Sequence, residues 1–331
     1  MDGAAAQRNI KVMVAGAVVG LAYGLAVRYG ARAFPTKLVF QVMTLGFMFL
    51  LPFAIGFSTI FVIERRRAQS IWVWFLLPWI PVIAGELAAV ALLWEGWICV
   101  AMFTPIALVA STLGGAAAGL IVHYGRLRRS RDASLVCVMC LPLLISGLEP
   151  QFLSQRDLRN VESVIDIHAP AATVWRNIER VPRIRLTELQ SSWSHTLGFP
   201  DPVEATLSAE GVGGIRHATF EGGVLFIETI DVWEPERRLG LSIRAHTEQI
   251  PPTTLDEHVT VGGRFFDVLH GEYILESLPN GGTRLHLVSQ HRLSTDFNWY
   301  AHLWTDAVMR DLQRRILFVV RDRSERTQRD E

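Results

Sequence analysis

The stretch SVIDIHAPAATVW, from Ser163 to Trp175, begins as a β-strand and ends as an α-helix. Its first half alternates apolar and polar residues, which is typical of a strand with one buried face. Pro170 then suits the first turn of a helix, where its missing N–H costs nothing. The pattern predicts a strand over residues 160–168 and a helix that ends near Val181.

Downstream of this helix apolar residues recur at every second position, and glycine-rich turns separate the apolar runs. Four short strands are predicted: Val203–Ala209, Gly214–Glu221, Val224–Trp233 and Arg238–Ala245. Two longer strands, Phe265–Leu278 and Thr283–Leu293, flank Asn280-Gly281, a strong hairpin signal. A long amphipathic helix over 297–323 completes the predicted order.

This order resembles the SRPBCC superfamily, the helix-grip fold of START lipid-transfer domains and of the polyketide cyclase/dehydrase and lipid-transport family. The resemblance is carried by the opening 163–175, by Thr229–Glu236 (TIDVWEPE), and by the hairpin and last helix, and it covers about 161–325. It implies an α+β domain whose curved antiparallel sheet grips the C-terminal helix around an elongated apolar cavity. It does not imply one activity, since members transport lipids, bind hormones, cyclise polyketides or act as scaffolds.

Strand parity predicts the residues that line this cavity, because alternate residues of a strand share a face. Polar groups then share the inner face with large apolar neighbours. The predicted pocket residues are Glu228, Asp267, Ser289, His291, Phe226 and Tyr273. The two carboxylates and the histidine are candidates for orienting a ligand or for general acid–base chemistry. The alternative is that they only hydrogen-bond one another and have no role in function. We expect Glu228→Gln to change ligand affinity more than stability.

The first half of the chain is a different kind of sequence, in which acidic residues are rare. Five apolar stretches follow one another: 10–27, 38–63, 71–94, 97–122 and 134–148. A membrane-spanning helix needs about 20 apolar residues. The sequence therefore predicts a transmembrane helical domain of five spans over 1–150, and a separate SRPBCC/START-like domain over 155–331.

Arginine clusters at 65–67 and 126–131 predict which loops are cytoplasmic. They place the N-terminus in the cytoplasm. The predicted partner of this half of the chain is the lipid bilayer of a plasma membrane or bacterial inner membrane. If 134–148 spans, the C-terminal domain is extracytoplasmic, which we expect; if it lies in the interface, the domain is cytoplasmic. A cleaved signal peptide ending near Ala33 is the alternative for the first stretch.

Small and polar residues inside the apolar stretches predict helix contacts. Gly16, Gly20 and Gly24 recur at four-residue spacing, which suits close helix packing. Glu86 lies within the third stretch, where an ionisable residue suggests a proton or substrate contact, or alternatively a pair with Arg28. Two membrane-buried thiols are the expected interpretation of Cys137-x-x-Cys140.

Several function classes receive no support from the sequence. The formal net charge is zero and lysine is scarce, so no nucleic-acid partner is expected. The ten histidines show no linear metal-ligand spacing, and Gly211–Gly214 does not open a helix, so neither a metal nor a cofactor is expected. His258 is expected to be a solvated loop residue.

Three functions remain open. The first is a membrane-tethered protein that binds or transfers an apolar small molecule or lipid. The second is a cyclase/dehydratase-type enzyme that uses Glu228, Asp267 and His291. The third is an interaction module with a pocket filled by its own side chains. The first is favoured, so that enzymatic activity is not the leading expectation.

Overall fold

The computed structural model describes residues 2–33, 43–124, 128–149, 156–246 and 261–330. Arg126 and His258, which entered the sequence predictions, lie outside these ranges. The chain divides into two compact units, Met1–Ser154 and Gln155–Glu331. Each unit has its own internal contacts and is described by itself.

The first unit is helical. A π-helical turn at Gly46–Leu50 leads directly into α2, where Pro52 has no N–H to continue the regular ladder. The helices are α1 Asp2–Ala33, α2 Leu51–Glu64, α3 Ile71–Leu76, α4 Trp79–Ala91, α5 Trp97–Tyr124 and α6 Arg128–Leu148.

Within the described residues, four segments are helical, long enough and apolar enough to cross a membrane. They are Ala6–Ala31, Gly46–Glu64, Ile71–Ala91 and Trp97–His123. The fifth predicted span is an apolar helix over Ala133–Leu148, but it is shorter than the others. Four of the five predicted spans are therefore confirmed by length and composition, and the fifth is not.

The predicted glycine contacts are confirmed between α1 and α2. A Cβ added at Gly16 would lie 2.6 Å from the Thr59 carbonyl oxygen, and one at Gly20 would lie 2.2 Å from Thr59 Oγ1. The closest approach joins α2 to α5, where a Cβ on Gly114 would lie 2.0 Å from the Phe53 carbonyl oxygen. Small residues let these helices pack backbone against backbone.

Polar side chains inside this unit bond between helices. Thr104 Oγ1 donates to Glu86 Oε2 at 2.9 Å. Arg28 does not pair with Glu86 as the alternative prediction had it, because its Nε donates to Glu95 at 2.8 Å. The thiols of Cys137 and Cys140 lie on the surface of the unit and not in its interior.

The second unit is built on one antiparallel sheet of seven strands in the order β1-β7-β6-β5-β4-β3-β2. Neighbouring strands in this order are hydrogen-bonded, so the first strand of the chain, β1, pairs with the last, β7. The strands are β1 Asp157–Ile167, β2 Pro202–Leu207, β3 Ile215–Phe220, β4 Leu225–Glu234, β5 Arg238–His246, β6 Phe266–Ser277 and β7 Thr283–Leu293.

Three helices complete this unit: α7 Ala171–Glu179, α8 Trp193–Thr196 and α9 Asn298–Asp330. Between α7 and β2 the chain forms only a 3₁₀ turn at Leu186–Glu188 and the short α8. A seven-stranded antiparallel sheet with a long C-terminal helix on its inner face is the helix-grip arrangement, so the predicted α+β fold is confirmed for this unit.

The main core lies between α7, α9 and the middle of the sheet. Val174 and Ile178 of α7 are fully buried there, next to Leu285 of β7 and Leu317 of α9. Burying each such side chain stabilises the fold by about 1.5–3 kcal/mol. This packing fixes α9 against the strands that present the candidate site.

Candidate ligand site on the inner face of the sheet

The face of the sheet that meets α9 can be followed along β7. Its odd-numbered residues from Thr283 to Leu293 are buried, and Leu285 and Leu287 pack with α9. Residues paired across neighbouring strands share a face, so the register extends this inner face to β6, β5, β4 and β3.

Five of the six predicted pocket residues lie on the inner face and are buried. His291 is fully buried, and the others are at most 9 % exposed. They are Phe226, Glu228, Tyr273, Ser289 and His291. Their shared face follows from the ladders, in which Gly271 pairs with Ser289 and Tyr273 with Leu287.

Asp267 is not on this face, and the parity prediction for it is wrong. The β6–β7 register shifts between Val268 and His270, so that Leu269 is an extra residue. Asp267 therefore pairs with Arg292, on the outer face, whereas Tyr273, beyond the shift, points inward. A similar shift after Ile230 turns Trp233 inward in place of Val232.

Glu228 forms a buried ion pair that the sequence did not reveal. The Arg216 guanidinium of β3 donates to the Glu228 carboxylate, and both side chains are less than 10 % exposed. Burial lowers the pKa of Arg216, but the charge and hydrogen bond of Glu228 together with those of Tyr273 more than offset this, so the pKa is raised. Arg216 Nε has no hydrogen-bond partner among the described residues. In the sequence, the position of Arg216 was indicated only by the alternation of β3, which puts Arg216 on the same face as Ala218.

Ser289 is part of a network that joins α9 to two strands. The Gln313 side chain of α9 donates to Ser289 Oγ and to the Val161 carbonyl oxygen, each at 2.9 Å. Its Oε1 accepts from Ser163 Oγ at 2.8 Å. Gln313 was also missed, although it lies on the apolar stripe of the last helix. This network positions the helix, so Ser289 has its hydrogen bond without a ligand.

His291 has a different environment, because neither ring nitrogen has a hydrogen-bond partner in the described part of the chain. Its Nε2 lies 3.6 Å from Asp306 Oδ1, and its ring lies 5.5 Å from the Phe266 ring, centroid to centroid. Burial lowers the pKa of His291, although the Asp306 charge opposes this. The imidazole is therefore neutral at pH 7, with one N–H to donate.

Asp306 connects His291 to a surface cavity. Arg159 binds Asp306 with two hydrogen bonds of 3.0 and 2.8 Å. The same arginine lines a cavity of about 450 Å³ at the start of α9, whose rim includes the exposed Trp299. The lining residues are Arg156, Asp157, Arg159, Asn298, Trp299 and His302. This cavity is mostly polar, unlike the elongated apolar cavity that the resemblance implied.

No protein-family model and no curated protein matches the chain. Among solved structures, an aromatase/cyclase from Streptomyces sp. R1128 is 16 % identical, with 52 % of this chain and 96 % of that chain covered and a TM-score of 0.31. The protein Ara h 8.0201 is 12 % identical over 50 % of this chain and 96 % of that one, with a TM-score of 0.30.

DynU16, from the dynemicin biosynthetic locus, is 20 % identical with a TM-score of 0.26. The match covers 46 % of this chain and 46 % of DynU16, so the chain spans less than half of that protein. All three likenesses are distant. The helix-grip assignment of the second unit rests on its own strand order and on the position of α9.

Proposed function

We propose that the chain is a membrane-anchored binding protein for an apolar molecule or lipid with a polar end. In this proposal residues 1–150 are the anchor and residues 155–331 hold the ligand. The observation that carries it is the inner face of the sheet, where Arg216 Nε and both ring nitrogens of His291 have no hydrogen-bond partner in the described ranges and lie near large apolar side chains.

Unpartnered buried donors are costly, by about 1–3 kcal/mol for each group. Phe226 pairs with Ala218, which shares the inner face of β3 with Arg216, and the His291 ring lies beside Phe266. Both phenylalanines belong to one apolar cluster. A ligand with an apolar body and an oxygen acceptor at its end would pack on that cluster and accept a hydrogen bond from either donor.

The enzyme alternative loses part of its basis. It required Glu228, Asp267 and His291 to converge on one substrate, but Asp267 lies on the outer face. Glu228 is held by Arg216, and the His291–Asp306 separation of 3.6 Å is beyond hydrogen-bond reach. Binding therefore has more support than acid–base catalysis.

Native mass spectrometry of the full chain in detergent tests the proposal. We expect a co-purified ligand on the wild type, and about tenfold weaker retention in His291→Leu, since one hydrogen bond of about 1.4 kcal/mol is lost. Asp267→Asn is the matched control, because it changes a polar residue on the outer face and should keep the ligand. A wild type that carries no ligand, together with a stabilised His291→Leu, would favour the filled-pocket alternative.

A second prediction concerns the side of the membrane on which the C-terminal unit holds the ligand. We propose an extracytoplasmic C-terminal unit, because the arginine clusters at 65–67 and 126–131 favour cytoplasmic loops. A C-terminal alkaline phosphatase fusion should then be active and a green fluorescent protein fusion dark. The opposite pattern would mean that Ala133–Leu148, the shorter apolar helix, does not cross.

A further inference from the structure

A second polar cluster lies where α8, the beginning of β2 and the turn after β3 meet. His195, Asp201 and Glu221 each bring one ligand-type atom there, all within 4.8 Å of one another. His195 Nδ1 lies 3.4 Å from Asp201 Oδ1 and 3.7 Å from Glu221 Oε2. Around a tetrahedral zinc ion, ligand atoms at 2.0–2.2 Å from the metal are about 3.3–3.5 Å apart. The cluster is thus already close to metal-binding dimensions.

More hydrogen-bond acceptors surround His195 Nδ1 than one N–H can serve. The carbonyl oxygen of Phe199 lies 3.0 Å from His195 Nδ1, so three oxygen atoms surround it. A ring nitrogen donates at most one hydrogen, so it can serve only one of these three oxygens, and of the other two Glu221 Oε2 also accepts from the Asp201 N–H. A cation bound by the nitrogen would satisfy them together.

The charges in this cluster also favour a cation. Asp201 and Glu221 are both acidic, and Arg315 of α9 forms an ion pair with Asp201. Arg315 Nη2 binds Asp201 Oδ2 at 2.5 Å and leaves Oδ1 directed at His195. One positive charge therefore faces two negative ones.

The three side chains are held in place before any ion binds. Ser192 Oγ accepts from the His195 backbone N–H at 3.0 Å and so fixes the start of α8. The Glu221 N–H donates to the Asp201 carbonyl oxygen at 2.9 Å, and the Asp201 N–H donates back to Glu221 Oε2 at 3.3 Å. Gly222, at φ 67°, makes the sharp turn that follows Glu221. A preorganised set of ligands loses little entropy on binding.

We propose that His195, Asp201 and Glu221 bind one divalent transition-metal ion such as Zn²⁺. Imidazole with carboxylates suits zinc and its neighbours, whereas Mg²⁺ and Ca²⁺ take oxygen ligands. His195 and Glu221 are exposed, so the ion enters from solvent, while Asp201 is buried beneath it. The sequence-based expectation of no metal relied on linear spacing, and these residues follow no linear motif. The inference is independent of the proposed lipid site.

Competition between the metal-stripped full chain in detergent and a chromophoric zinc indicator tests this site. We expect one tight Zn²⁺ per chain in the wild type and about a hundredfold or more weaker binding in His195→Ala, since a metal ligand is lost. His217→Ala is the matched control, because His217 is an exposed histidine of the adjacent β3 outside the cluster, and it should bind like the wild type.

Glu221→Gln supplies a second variant that keeps the shape of the side chain and does not disturb the Arg315–Asp201 pair. It should also weaken Zn²⁺ binding, and it should change the visible absorption of the Co²⁺-substituted protein. Zn²⁺ binding that is equal in the wild type, His195→Ala and Glu221→Gln would overturn the proposal, as would full displacement of Zn²⁺ by an equal concentration of Mg²⁺.

Discussion

Arg216→Met should destabilise the C-terminal unit by about 3–5 kcal/mol, which is a large part of the stability of a typical domain. The reason is that the Glu228 carboxylate remains after its partner is removed. Removal of the guanidinium leaves the Glu228 carboxylate buried, with no other cation in contact among the residues that the structure describes. Pulse proteolysis of the full chain in detergent across a urea series, with cleavage within 155–331 followed on gels, measures the loss.

The double variant Arg216→Met/Glu228→Leu is the decisive comparison. It removes both charges, and apolar replacements of a buried ion pair are often neutral or stabilising. We expect it to recover most of the stability that Arg216→Met loses. Equal losses in the single and double variants would show that the pair is not buried as described.

The same geometry revises the expectation for Glu228→Gln. From the sequence alone this change was expected to alter ligand affinity more than stability. With Arg216 in contact, the variant leaves a buried guanidinium without its counter-charge. It should therefore lower stability, and ligand affinities measured on it need this correction.

Gly114→Ala should disrupt the membrane unit, at a cost of about 3 kcal/mol or more. The added Cβ would lie 2.0 Å from the Phe53 carbonyl oxygen, an overlap with backbone that only separation of α2 and α5 can relieve. The gain in helix propensity from glycine to alanine, about 1 kcal/mol, is too small to offset it. Fluorescence-detected size-exclusion chromatography after a heating series reports the loss of folded protein.

Gly85→Ala is the matched control for this substitution. Gly85 lies in α4, and an added Cβ there would meet its nearest neighbour, Leu21 Cδ1, at 3.7 Å, which is ordinary contact. The control should keep or slightly raise the thermal stability. If Gly114→Ala behaves in the same way, α2 and α5 do not pack as closely as the structure has them.

The sequence predicted most of the secondary structure because periodicity is a local property. Three local patterns each predict an element without information from distant residues. They are the alternation that begins at Ser163, the Asn280-Gly281 turn and the apolar stripe of the last helix. The register shift near Leu269 is different. One extra residue in β6 is visible only against its partner β7, and it reversed the predicted face of Asp267.

The candidate site was predictable only in part for a related reason. Parity placed Glu228 and His291 correctly on a buried face. It could not show that Arg216 lies opposite Glu228, or that Gln313 reaches Ser289, because these contacts depend on strand order and helix placement. The metal-type cluster around His195 joins three separate segments and has no linear signature.

The pairing of β1 with β7 has a consequence for how the protein is made. Asp157 emerges from the ribosome soon after the apolar helices, yet its partner Leu293 is synthesised near the end of the chain. Until then β1 has no neighbour in the sheet, since no other described strand borders it. Closure over so long a loop is slow, and an unpaired strand edge invites association with other chains. The C-terminal unit therefore completes its sheet only after β7 has been synthesised, and until then chaperones would have to shield the unpaired β1.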